Sequence, residues 1–328
     1  MEKEITMKTI RLALTIVLVF SLPTLALARS YKISVNQFVE HPALDAALKG
    51  FKDYLQDNHV DVTYSIHNAQ ANMATANQIG QQIMGESPDL ILAIATPSSQ
   101  ACAQAIKKAG SRMQKVPLLF SAVTDPLQAG LVADLDRPGA NITGVSDMLP
   151  VAKHLAMVKT MVPGLKRLGF LYNAGEVNSK VLVPIFQAEG KKIGCEIVEA
   201  TVSKSSEVYQ AVKSLVGRVD AVFVPTDNTV VSAIESAVKV CEQNKLPLFN
   251  ADVASVQRGS IAAMGFDYYK HGVQTGALAK RVLEGADPAM TPVEYQQELL
   301  LHINLPAAQK MGFTIPEAMV KKADTIYR

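Results

Sequence analysis

The feature that most constrains this chain is a regular alternation of short β-rich runs with helix-length amphipathic stretches. YKISVNQFV at 31–39 precedes a helical pattern from residue 42 to about 57, and VDVTYSI at 60–66 precedes one from about 72 to 85. DLILAIAT at 89–96 is followed by a pattern from about 98 to 109, and then by VPLLFSAV at 116–123. Strands that are apolar along their whole length, each followed by a helix, predict an α/β fold with helices covering both faces of a parallel sheet.

A Pro- and Gly-containing passage, LDRPGANITGVSDMLP at 135–150, interrupts the rhythm, which returns with LKRLGFLYN, CEIVEAT, VDAVFVPT and LPLFNA. Two successive α/β units are the simplest reading, and a length of 328 residues accommodates both. AAMGFDYY then leads into a helix from about 270 to 284, ended by Gly285, Pro288 and Pro292. A late strand ELLLHIN and helical segments near 305–312 and 316–327 complete the chain. These breakers predict that the chain crosses repeatedly between its two units, as in a hinged clamshell.

In open parallel sheets, ligands bind beyond the carboxyl ends of the strands. The residues just after the expected strands are unusually polar: Glu40 and His41; Thr96, Pro97, Ser98 and Ser99; Thr124 and Asp125; Asn173, Glu176 and Asn178; Thr226, Asp227 and Asn228; and Asp252. Each has an ordinary reading as well. Ser, Thr, Asp and Asn cap helices anywhere, and Thr-Asp-Pro makes turns. At Thr96–Ser99 a helix N-terminus behind a buried strand is also where an anion would be held, because its N–H groups lack intrahelical partners. Together the set places hydrogen-bond donors and carboxylates at one edge of both sheets, which suits a zwitterionic ligand.

The charge balance excludes a nucleic-acid partner. The formal net charge is +2, and basic residues come in isolated pairs such as Lys107-Lys108 and Lys191-Lys192, so no stripe tracks a phosphate backbone. No catalytic or nucleotide-binding signature is present: there is no G-x-S-x-G elbow, G-x-G-x-x-G turn or Walker loop. His41 lacks the clustered partners of a metal ligand, and no metal or cofactor is expected. Cys102, Cys195 and Cys241 are too widely spaced for a paired-cysteine motif. At the N-terminus, Lys8 and Arg11 precede the apolar run LALTIVLVFSLPTLALA, which closes on Ala26-Leu27-Ala28. That pattern is a secretory signal peptide over 1–28, so the mature chain is expected in the periplasm.

The stretches EHPALDAALKGF, DLILAIATPSSQ, FSAVTDPLQAGLV, GANITGVSDMLPV, LYNAGEVNS, VDAVFVPTDNTV, GFDYYKHGVQTG and INLPAAQKMGFTIPE occur in an order that resembles one family. It is the solute-binding proteins of ABC importers of the tryptophan/tyrosine transporter type, with the type I periplasmic binding fold. The resemblance implies two Rossmann-like lobes joined by three crossovers, one over 29–147 plus 266–291 and the other over 148–265 plus 292–328. It implies an amino acid ligand, aromatic in characterised relatives, delivered to an inner-membrane permease. Carried onto this chain, Thr96, Pro97, Ser98 and Ser99 would grip the α-carboxylate, and Thr226, Asp227 and Asn228, with Asp125 or Asp252, would hold the α-amine. The first lobe would dock the ligand and the second would close over it. The same architecture also serves a ligand sensor for a membrane receptor, or a binder of an aliphatic amino acid or another small carboxylate. Tyr172, Phe38, Phe120, Tyr268 and Tyr269 lie near strand ends, but motif position does not say which of them, if any, reads a side chain.

Overall fold

The computed structural model describes residues 30–111 and 113–328. The expected signal peptide lies outside the described residues. The first lobe is built from β1 (Tyr31–Gln37), α1 (Pro42–Asp57), β2 (Val62–Asn68), α2 (Met73–Glu86), β3 (Leu90–Ile94), α3 (Thr96–Lys108), β4 (Leu118–Val123) and β5 (Ile142–Ser146). The second runs through α4 (Val151–Met161), β6 (Arg167–Asn173), α5 (Val177–Lys180), α6 (Leu182–Lys192), β7 (Glu196–Val202), α7 (Val208–Leu215) and β8 (Ala221–Val224). It continues with α8 (Asn228–Ser232), α9 (Ile234–Asn244), β9 (Leu248–Asn250), α10 (Ala254–Gln257) and β10 (Ala262–Gly265). The chain then returns to the first lobe for α11 (Tyr268–Leu283) and β11 (Glu294–Tyr295). It ends in the second lobe with β12 (Leu300–Asn304), α12 (Leu305–Lys310), α13 (Glu317–Val320) and β13 (Thr325–Tyr327).

The sheets have the strand orders β11-β5-β4-β3-β1-β2 and β13-β12-β10-β9-β8-β6-β7. The first sheet is parallel throughout. The second departs from the expected all-parallel arrangement at one place: β12 runs antiparallel to β10, because the chain re-enters that sheet after its excursion through the first lobe. Three further expectations need correction. The passage 135–150 hides β5, whose Gly144 is required by close approach: a Cβ there would stand 2.2 Å from the Phe120 carbonyl oxygen. Because β11 pairs with β5, the last crossing falls after Tyr295 and not at 292. The segment 316–327 is helical only over Glu317–Val320, and its β-branched end Thr325–Tyr327 pairs with the edge strand β12.

Each lobe has its own core. Phe51, Phe120, Leu92 and Ile33 belong to one cluster; Phe170, Phe186 and Phe223, packed ring on ring, belong to the other. The returning helix α11 is locked onto α1 through glycines. A Cβ at Gly272 would meet the Ala47 carbonyl oxygen at 1.9 Å, so the two helix backbones touch only because none is there. Separate cores joined by three crossings let the lobes move as rigid bodies about those crossings.

Candidate functional site

The carboxyl ends of both sheets face each other across the junction of the lobes. A cavity of about 20 Å³ remains there, lined by His41, Ala43, Leu44, Ala122, Thr124, Asp147 and Tyr268 from the first lobe and its crossings. The second lobe contributes Asn178, Thr226, Asp227, Asn228, Val231 and Asp252. A space of that size holds about one water, so the lobes are shut on each other. Thr124 Oγ1 and Thr226 Oγ1 meet across the junction at 3.2 Å.

On the second-lobe side the polar groups hold one another. Glu176, buried, accepts from the backbone N–H and side-chain amide of Asn228, from the backbone N–H and hydroxyl of Thr229, and from Asn178 Nδ2, at 2.6–3.2 Å. Asp227 caps α8 by accepting from Val230 N–H at 2.8 Å, while its second oxygen takes Asn173 N–H at 2.7 Å and the Ser179 hydroxyl at 2.6 Å. Burial, and then the nearby Glu176, push its carboxyl up to about 8 against those three donors. Asp252 accepts from Ala254 N–H, Ser255 N–H and the Ser255 hydroxyl, fixing the start of α10.

The first-lobe side is less satisfied and more strained. His41 caps α1 weakly through Nδ1, 3.5 Å from Leu44 N, while its buried Nε2 makes no hydrogen bond of full geometry, the Asn228 side chain being its neighbour. Burial pulls this imidazole down to about 4, with Asp252 and Asn228 pulling the other way. Ala95, just after β3, has φ 77°, and Ala122, at a register shift inside β4, has φ 56°, conformations that cost non-glycine residues about 1–3 kcal/mol and cluster at binding sites. Ala122 N–H is held by His271 Nε2 at 3.0 Å, which requires that ring to be neutral, and burial draws its pKa down to about 4. Asp147, at the first crossing, accepts from Thr124 Oγ1 at 3.1 Å and from Tyr268 OH at 2.7 Å. Burial raises its pKa, and these two bonds oppose the shift.

Several sequence-predicted residues therefore meet at the cavity: His41, Thr124, Asn178, Thr226, Asp227, Asn228 and Asp252. Asn173 and Glu176 stand behind it as braces. Glu40 does not reach it; it is exposed on an outer groove beside Lys49 and Asp53. Asp125 only closes a turn, accepting from Leu127 and Gln128 N–H. Pro97, Ser98 and Ser99 are buried at the start of α3 and do not line the cavity. The Ser98 hydroxyl donates to Asn36 Oδ1, and that of Ser99 donates to the Ala95 carbonyl. Thr96, in the same turn, does not line the cavity either; its Oγ1 is buried without a partner, and α3 lies against α5 of the second lobe. Asp147, which also lines the cavity, is concealed in the sequence by the interruption at 135–150; its position just after β5 is the same strand-end signal that marks the others. Among the described residues no group of His, Cys, Asp and Glu is arranged to hold a metal ion.

The profile of one family, described as ABC transporter substrate binding protein, matches residues 32–327. A tyrosine-binding protein of Clostridioides difficile (strain R20291) is 42% identical over 276 residues, 83% of this chain and 78% of that protein. A Streptococcus pneumoniae domain solved in complex with L-Trp is 35% identical, with a TM-score of 0.84 over 90% of this chain and 99% of that one. A ligand-free, open substrate-binding protein with adhesive properties from Clostridium difficile is 36% identical over the same shares, yet scores 0.67. At nearly equal identity, the lower score is what rigid lobes set at a wider opening produce. These relatives are binding proteins, not enzymes, and this chain belongs to the family of ABC transporter substrate-binding proteins.

Proposed function

We propose that this chain is the periplasmic receptor of an ABC importer, which takes a free aromatic L-amino acid between its lobes and delivers it to a membrane permease. The observation that carries the amino acid is the charge of the cavity: Asp147, Asp227 and Asp252 line it, and no Lys or Arg does. Buried carboxylates need a compensating cation, and a ligand ammonium supplies one. Asp147 and Asp252, whose partners are hydroxyls and backbone N–H groups, are its natural neighbours. His41, on the first-lobe wall of the cavity, suits the carboxylate end through its Nε2. That lobe is then the docking half, and the braced rim of the second closes over the ligand. The aromatic class rests on the tyrosine-binding relative and the L-Trp complex.

A thermal-shift screen against the common amino acids and sugars tests this reading. A ligand at about a hundred times its Kd stabilises by about 2.7 kcal/mol, so tyrosine, tryptophan or phenylalanine should raise the Tm by several degrees. Stabilisation by a sugar and by no amino acid would overturn it.

A further inference from the structure

The first-lobe wall of the cavity includes a residue that its own sheet does not hold. Ala122 lines that wall beside Thr124 and Asp147. The β4–β5 register passes from Ser121–Val145 to Val123–Ser146, and β3 ends opposite Ser121, so Ala122 is a bulge residue paired with neither neighbouring strand. Its acceptor comes from α11 instead: the buried His271 takes the Ala122 N–H on Nε2 at 3.0 Å. One turn further along the helix, Thr275 Oγ1 meets the Ser121 hydroxyl at 3.1 Å, and one turn earlier Tyr268 OH donates to Asp147. Positions 268, 271 and 275 are spaced by three and four, so one face of α11 grips the bulge and a cavity carboxylate together.

The other edge of the imidazole faces the last crossing between the lobes. An Nε2 that accepts carries no proton, so the neutral ring keeps its proton on Nδ1. His271 Nδ1 and Gln296 Oε1 are both buried and make no hydrogen bond of full geometry, the Gln296 side chain and the Val145 backbone being the ring's other polar neighbours. Gln296 Nε2 donates to the Asp267 carbonyl at 3.1 Å, and Asp267 caps α11, so the crossing and the helix start are tied to each other. We infer that His271 is a positioning residue for ligand binding: as the acceptor for Ala122 N–H it sets the bulge in the cavity wall, and Gln296, outside the cavity, holds the tautomer that lets it accept. The inference rests on the cavity being the amino acid site proposed above.

Calorimetric titration of the protein with L-tyrosine, beside nitrogen NMR of ring-labelled histidine and a Tm for each variant, tests this. The wild-type His271 signal should be that of the Nδ1–H tautomer. His271→Leu, of similar size but with no acceptor, should bind tyrosine about tenfold more weakly, and His271→Gln, whose Oε1 takes the place of Nε2, should recover most of that loss. If His271→Leu does not fold, Gln296→Leu leaves the cavity lining untouched and should move the ring proton to Nε2 and weaken tyrosine about fivefold. A merely structural role would lower the Tm of these variants and leave their affinity within about twofold. That result, an Nε2–H tautomer in the wild type, or equal losses in His271→Gln and His271→Leu would each overturn the positioning role. A wild type with the Nδ1–H tautomer that binds no aromatic amino acid would instead remove the amino acid reading beneath it.

Discussion

The two rims of the cleft differ in how far their polar groups are already engaged. On the second lobe, Glu176, Asp227 and Asp252 are surrounded by donors, and carboxylates fix the starts of α8 and α10, while among that lobe's cavity-lining residues Asn178 Oδ1 is the one buried side-chain atom left without a partner. On the first lobe, His41 and Thr96 each keep a buried polar atom without a partner, and Ala95 and Ala122 sit in strained conformations. Unpaired groups and strain persist where surrounding structure holds them, and at binding sites they await a ligand. The contrast is one of degree: the second rim's carboxylates are held by several donors each, whereas the first rim combines unpartnered buried atoms with two strained backbone positions.

The largest expected effect is on the second rim. Glu176→Ala strands the backbone N–H of Asn228 and Thr229 together with three side-chain donors, and should cost at least about 3 kcal/mol in urea unfolding. A loss below about 1 kcal/mol would show that the rim is not a single network. Asp227→Asn comes next. The amide still accepts from Val230 N–H, but its NH₂ then confronts Asn173 N–H, so stability should fall by about 1–3 kcal/mol before any ligand is added. Loss of ligand affinity at unchanged Tm would instead make Asp227 a direct ammonium partner.

Acidification probes the first rim. His41 and His271 have folded-state pKa values near 4, below the ordinary 6.5, so the unfolded chain takes up its protons first. The two rings' contribution to stability is therefore full above about pH 6.5 and is lost as the pH falls toward 4, by up to about 1.4 kcal/mol per pH unit for each ring, while the raised carboxyls of Asp227 and Asp147 shift stability the opposite way, so the readout is the difference between variant and wild type. In a chemical-denaturation series over that window, His41→Asn should decline less steeply than the wild type; parallel slopes would mean that His41 is not held neutral. The smallest change in stability is expected from Thr96→Val. It removes an unpartnered hydroxyl outside the cavity and should alter unfolding by less than about 0.5 kcal/mol. A destabilisation above about 1 kcal/mol would show that the hydroxyl is engaged in the scaffold.

The same contrast explains what was legible in the sequence. The strand-helix alternation gave the two lobes, because fully apolar runs such as LILAI and AVFV have no other use than a sheet covered on both faces. β5 escaped because Gly144 and its flanking Pro and Asn residues look like loop; only the Phe120 backbone pressed against it shows why a glycine stands in a central strand. With β5 went Asp147. Strand-end logic located His41, Thr124, Asn178, Asp227 and Asp252, since position after a strand fixes which edge a residue occupies. It could not distinguish contact from brace. Ser98 and Asn173 carry the same residue types at the same kind of position as Thr124 and Asn178, and only tertiary partners such as Asn36 and Thr229 turn them inward. Glu40 and Asp125 fail for a simpler reason: one turns outward to solvent, and the other is satisfied within its own turn.

The central claim is that the carboxylate-lined cavity takes a ligand ammonium. Its most direct test is calorimetric titration of the protein with L-tyrosine and with its desamino analogue, 3-(4-hydroxyphenyl)propionate, which keeps the ring and the carboxylate and lacks only the amine. Removing one member of a buried charge pair costs about 2–5 kcal/mol, so the analogue should bind at least about thirtyfold more weakly. Equal affinity of the two ligands would contradict the account.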